Sequence, residues 1–161
     1  MKLNQIFLMC FAISSLGLCS APLLAAEPKT AAVSQAQSQP MAAPQILALI
    51  HQINELQNKA MLTTSVKADV DALFAFYSAD FEYVHEKYGG SYSRDLLYRN
   101  TLKAVESKRF KDSVPRYQLE AVLPGINAAA VRRYQQTGTP AYHLAMFEFA
   151  DGKVRRIVEY W

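Results

Sequence analysis

Residues 141–161, AYHLAMFEFADGKVRRIVEYW, decide the fold. Strand-forming residues alternate on both sides of Asp151-Gly152, and Asp-Gly suits a two-residue turn in which both residues take positive φ. Such a turn pairs Ala150 with Lys153 and fixes each pair outward from it. Glu148 then meets Arg155, Phe147 meets Arg156, Ala145 meets Val158 and His143 meets Tyr160. Because side chains alternate across a strand, one face should carry His143, Ala145, Phe147, Phe149, Val154, Arg156, Val158 and Tyr160. The other should carry Tyr142, Leu144, Met146, Glu148, Arg155, Ile157, Glu159 and Trp161. Neither face is wholly polar, so the sheet needs cover on both sides, from its own helices and from a second subunit. The first face is the better cavity wall, mainly apolar with His143 opposed to Tyr160 at one end. An even-length loop around Gly138-Thr139 would add Tyr134 and Arg132 to that face, and an odd-length loop would remove them.

Working back from the hairpin, strands are expected over about Arg116–Leu123 and Ile126–Gln136, separated by Pro124-Gly125. Upstream the period changes. Ile46, Leu49, Ile50, Ile53 and Leu56 form one helical stripe. A second helix, capped by Ser65, should place Val66, Val70, Leu73, Phe74 and Tyr77 on one face and stop near Ala79-Asp80. Phe81 to Glu86 alternates as a strand, Gly89-Gly90 turns the chain, and Ser91 or Ser93 can start a third helix running to about Ser107, with Tyr98, Leu102 and Val105 on its buried side. Helices followed by a run of antiparallel strands make an α+β arrangement.

The amino terminus reads differently. Lys2, an apolar run from Ile6 to Leu18, and small residues ending at Ala25-Ala26 have the order of a cleavable secretion signal. The run is shorter than the roughly 20 apolar residues of a membrane span, so no integral span is expected after cleavage. Leu16-Gly17-Leu18-Cys19 resembles a bacterial lipoprotein box, but Leu18 occupies the position that should be small. A cut after Ala26 leaves 135 of the 161 residues, a single-domain length. Glu27 to Pro44, rich in Ala, Gln, Ser and Pro, reads as a flexible linker, and residues 45–161 as the domain. The chain's two cysteines, Cys10 and Cys19, both fall within the signal, so the exported domain has no disulfide to make. With Lys2 removed, 16 Lys+Arg face 14 Asp+Glu. Arg132-Arg133 and Arg155-Arg156 each split across a strand rather than forming a basic stripe, so no nucleic-acid partner is expected.

Three strings together resemble the nuclear transport factor 2-like superfamily, and within it the SnoaL-like group: Asp80-Phe81-Glu82-Tyr83-Val84-His85, Gly89-Gly90-Ser91-Tyr92-Ser93-Arg94, and the ending from Asp151 to Trp161. The resemblance covers about Ile46 to Trp161. It implies a cone-shaped α+β fold in which a curved antiparallel sheet wraps about three N-terminal helices around a pocket, and a homodimer through the outer sheet face. Its relatives include ketosteroid isomerases, polyketide cyclases and dehydratases as well as domains without known catalysis, so fold alone does not choose a reaction.

Isomerase-like members often carry an acidic base near the end of the first strand. Here the inward residue should be His85, with Glu86 turned away and Glu159 on the face opposite the pocket. The catalytic candidates are therefore His85 as general base and His143 with Tyr160 as an acid/base or oxyanion pair. Tyr83, Arg132, Tyr134, Phe147 and Arg156 are the ligand-binding candidates. His51 falls on a helix surface, and no close-spaced His or Cys motif suggests a metal or other cofactor. Two readings follow: an exported domain holding a small, partly apolar molecule, or a cofactor-independent isomerase, cyclase or dehydratase. A dimeric interaction module without chemistry is the third.

Overall fold

The structure, a computed structural model, describes residues 39–85, 87 and 89–161. The signal, Cys10, Cys19, most of the linker and Glu86 lie outside the described residues. Helix α1 (Ala43–Ala60) begins with Pro44 in its first turn, where a missing N–H costs nothing. The Gln45 side chain accepts the Ala42 N–H at 2.9 Å. The expected stripe is buried: Ile46, Leu49, Ile50 and Ile53 all face the interior. The same side continues into two buried amides, Gln57 and Asn58.

Helix α2 (Lys67–Phe74) is shorter than its apolar pattern suggests. Strand β1 (Tyr77–His85) starts where the helix was expected to continue. The reason is tertiary: the Phe76 carbonyl accepts the Val154 N–H at 2.9 Å, which draws the chain into the sheet. Tyr77 is buried as expected, but from a strand, stacked on Phe81 with centroids 4.2 Å apart. Ser65 does not cap α2; the cap position is Val66, whose N–H donates to Asp69 Oδ2 at 3.0 Å. A short strand β2 (Gly90–Ser93) leads into α3 (Arg94–Glu106), and there Ser93 does cap, its Oγ accepting the Leu96 N–H at 3.3 Å.

Four strands follow: β3 (Tyr117–Pro124), β4 (Ala128–Gln135), β5 (Ala141–Ala150) and β6 (Lys153–Tyr160). The six strands form one curved, unclosed sheet in the order β2-β1-β6-β5-β4-β3. All neighbours are antiparallel except β1 and β6, which are parallel. The α+β cone is thus present. The helices fill its inner side, where Ile46, Ile50, Ile53, Val70 and Phe74 meet Phe81, Val131, Phe147, Phe149 and Val154.

Asp151 and Gly152 both take positive φ, 50° and 72°, as the turn requires, and Ala150 pairs with Lys153. Two positions further out the expected register fails. The ladder shifts between Glu148 and Phe149, so that Glu148 pairs with Arg156, Phe147 with Ile157, Met146 with Val158, Ala145 with Glu159 and Leu144 with Tyr160. Arg155 is the extra residue of a β-bulge. One inserted residue exchanges the two faces of everything beyond it. Ile157 and Glu159 therefore turn inward and are buried, while Tyr160, expected opposite His143, is 57% exposed on the outer side.

Candidate functional site

The bulge places a carboxylate inside the cone. Glu159 sits beside Ala145 on the inner face, and Arg133 of β4, opposite His143, reaches it from the far side of β5. Arg133 Nη2 donates to Glu159 Oε1 in an ion pair whose side chains are both nearly fully buried. The loop between the paired residues Gln135 and Ala141 is odd-numbered, so Arg133 rather than Arg132 points inward. Its guanidinium lies over the Tyr117 ring, 4.0 Å from the centroid, and Nη1 donates to Gln57 Oε1 at 2.8 Å. The Gln57 amide in turn donates to the Tyr77 hydroxyl at 3.2 Å. Asn58 positions Tyr117: its amide donates to the Tyr117 carbonyl and its Oδ1 accepts the Tyr117 N–H, each at 2.8 Å.

These groups form the polar end of a cavity of about 140 Å³. Gln57, Tyr77, Tyr83, Tyr117, Arg133 and Glu159 line that end, and Ala60, Met61, Leu73, Phe74, Leu97 and Ile157 supply apolar walls. An apolar cavity of about this size accommodates a single benzene-sized ring. Burial, then the Glu159 charge, raises the Tyr83 phenol well above its ordinary value. Burial likewise raises Tyr77 and Tyr117. All three stay protonated near neutrality and can donate to a ligand. Glu159 is held on both oxygens, since the Trp161 indole N–H donates to Oε2. It is a fixed, compensated charge rather than a free base.

The sequence candidates separate into three groups. Tyr83 lines the cavity, and Phe147 is 2% exposed in the packed core. His85 and His143 are buried but are not among the cavity-lining residues; they flank one indole instead. His143 stacks on Trp161 with centroids 3.9 Å apart and planes 11° apart, and His85 meets the same ring edge-on at 4.4 Å. Burial, followed by Arg133, lowers the His143 pKa, so the imidazole is neutral at neutral pH. Arg132, Tyr134, Arg156 and Tyr160 do not reach the interior. Arg132 covers the exposed Tyr142 ring at 4.3 Å, Tyr134 packs on the same ring at 5.1 Å, and Arg156 pairs with Glu82 at 3.0 Å. The expected His143–Tyr160 pair does not exist, because the bulge sends Tyr160 outward. The inward carboxylate expected to be missing is present as Glu159.

Gln57, Tyr77, Tyr117, Arg133, Glu159 and Trp161 had no place among the candidates. Gln57 carried a signal, being an amide four residues past Ile53 on an apolar stripe. Among the described residues no three His, Cys, Asp or Glu side chains cluster as a metal site, and no helix is long and apolar enough to cross a membrane.

This cone with its inner cavity is the fold of nuclear transport factor 2-like proteins, and its likeness runs to SnoaL-like members. A SnoaL-like protein of unknown function from Burkholderia thailandensis superposes with a TM-score of 0.57 at 15% identity, covering 76% of this chain and 98% of that one. A Kribbella flavida protein provisionally assigned as a ketosteroid isomerase gives 0.56 at 17% identity, covering 73% and 78%. A de novo designed protein with a curved β-sheet gives 0.52 at 16%, covering 74% and 86%. No family model and no curated protein matches the sequence. Likeness at these identities concerns the fold.

Proposed function

We propose that this chain is exported and that its domain binds a small, partly apolar, uncharged molecule in the 140 Å³ cavity. The observation that carries the reading is the buried Arg133–Glu159 pair at the polar end of a chamber whose other walls are mainly apolar. Replacing such a pair by packed apolar residues is often neutral or stabilising, so stability alone gives little reason to keep it. An apolar pocket with a few convergent polar groups is the ordinary form of a ligand site. Here the opposed charges cancel, which favours a neutral ligand, and the protonated Tyr83 offers a donor to a carbonyl or hydroxyl oxygen. The volume argues for a single-ring or short branched molecule rather than a steroid.

An isomerase, cyclase or dehydratase working through His85 has less support, since His85 is not among the residues lining the cavity and a base must reach its substrate. Export rests on the amino-terminal pattern of Lys2, the apolar run and Ala25-Ala26. A homodimer through the outer sheet face is supported by Tyr142, Leu144 and Tyr160, all exposed there, with Leu144 and Tyr160 paired across the strands.

The decisive experiment is to express the full sequence, recover the processed protein and identify co-purifying small molecules by mass spectrometry, with thermal shifts across a library of one-ring phenols, ketones and alcohols. A bound one-ring compound, or a shift confined to that size class, is expected. No ligand and no shift would sink the binding reading. Amino-terminal sequencing of the same sample tests the cut after Ala26, and light scattering tests the dimer.

A further inference from the structure

Trp161 contacts three buried side chains of the inner face. Its indole N–H holds Glu159 Oε2, one face stacks on His143, and His85 meets the ring edge-on. Glu159 lines the cavity, whereas both histidines, each 1% exposed, do not. Trp161 does not itself line the cavity; its half-buried indole stands behind the lining residue Glu159, between that wall and a buried imidazole pair. We propose that Trp161 is the specificity-determining residue of the site, a partition that limits the ligand to about one ring and withholds His85 and His143 from it. This rests on the ligand-binding reading above and adds what sets the size.

The chemistry follows from the indole's dimensions. An indole fills about the space of a fused two-ring molecule, and its N–H is bonded to a carboxylate on the cavity wall. Removing it vacates a bicyclic volume behind Glu159, flanked by the rings of His85 and His143. Space left by a large aromatic side chain collapses only partially, and the imidazole rings offer aromatic faces to a flat guest. A ligand one fused ring larger would then fit, and His143 would gain access to reagents and to the ligand. His143 Nδ1 has no hydrogen-bond partner among the described residues, so it can accept a proton or a reagent once uncovered.

The test uses the full-length protein as wild type, Trp161→Ala and Trp161→Phe, with two readouts. Calorimetry with phenol and 2-naphthol as probes measures ligand size. Carbethoxylation of histidines by diethylpyrocarbonate, followed by peptide mass spectrometry, measures access, with the exposed His51 as internal standard. In Trp161→Ala, 2-naphthol should bind at least about tenfold tighter than to wild type while phenol changes little, the scale at which a pocket senses added apolar groups. His143 should be modified about tenfold faster relative to His51, in keeping with reactivity that follows exposure. Trp161→Phe keeps a ring in place and should resemble wild type in both readouts, despite losing the N–H to Glu159. Wild-type binding of phenol without any gain for 2-naphthol or any unmasking of His143 in Trp161→Ala overturns the partition and leaves the ligand reading standing. Binding of neither probe by any form, with His143 unmasked in Trp161→Ala, keeps the partition and removes the ligand reading. If Trp161→Ala does not fold by circular dichroism, Trp161→Leu takes its place under the same criteria.

Discussion

The inner face of the sheet has two ends, built on the same strands and closed in opposite ways. Near the Asp151-Gly152 turn, Phe147, Phe149 and Val154 pack against Ile46, Ile50 and Ile53, and the space is filled by aliphatic and aromatic volume. At the far end of β4, β5 and β6, Arg133, His143 and Glu159 occupy equivalent inward positions, and a cavity remains beside them. The first end gains its stability from burial, about 1.5–3 kcal/mol for each large side chain removed from water. The second gains little on balance, because desolvating two charges offsets most of their attraction. A domain that keeps its dry end for stability and its charged end at little net gain has separated folding from recognition along one strand. The bulge at Arg155 lies within the dry end and sets which side chains of β6 face inward at the charged end.

The register of β6 is the feature whose loss should disrupt both ends most severely. Deleting Val158 would carry Glu159 outward and Tyr160 inward without restoring any pair. The expected result is loss of the cooperative transition in urea. Deleting Arg155 should do far less, since removing the bulged residue leaves Val154, Ile157 and Glu159 facing inward on a regular ladder. A folded Arg155 deletion beside an unfolded Val158 deletion would sharpen the account; equal damage from both would count against the bulge as the controlling feature.

Within the dry end, Phe147→Ala should cost about 3–5 kcal/mol through lost burial and a residual cavity, measured by urea melts, with no change in the pH dependence of stability. The polar end should show the reverse pattern. Burial and the nearby Arg133 hold His143 below its ordinary value of 6.5, so the unfolded chain takes up a proton first as pH falls. The stability this group contributes is full above about 6.5 and is lost as pH drops toward the lower native pKa. His143→Phe should flatten that acid-side slope; an unchanged slope would mean His143 is not the group. Smallest of all, Gly152→Ala places a Cβ at φ 72°, where an L-residue costs about 1–2 kcal/mol. The melt should shift modestly and ligand binding should not change.

Much of this arrangement is legible in the residues. The strands, the Asp-Gly turn, the Ile46–Ile53 stripe and the Ser93 cap follow from local chemistry, which alternation and turn geometry express directly. The bulge does not. Nothing in Lys153-Val154-Arg155-Arg156 distinguishes a straight ladder from one with Arg155 looped out, and yet that single residue decides which side Glu159 faces. Both registers offer Glu148 an arginine partner, so charge pairing cannot choose between them. What chooses is the interior: burying Ile157 rather than Arg156 against the helices, and giving Arg133 a counter-ion. Those are tertiary terms, absent from any window of sequence. The same limit applies to Tyr77, which a helical period claims until Phe76 is captured by Val154.

A double-mutant cycle on Arg133→Met and Glu159→Gln, read as unfolding free energies, measures whether the bulge turns Glu159 inward to pair with Arg133 at the cavity's end. Each single change strands a buried polar or charged partner and should cost about 3–5 kcal/mol, whereas the double variant should cost far less than the sum. Additivity within about 0.5 kcal/mol would mean the two side chains do not meet, and the inward Glu159 would be wrong.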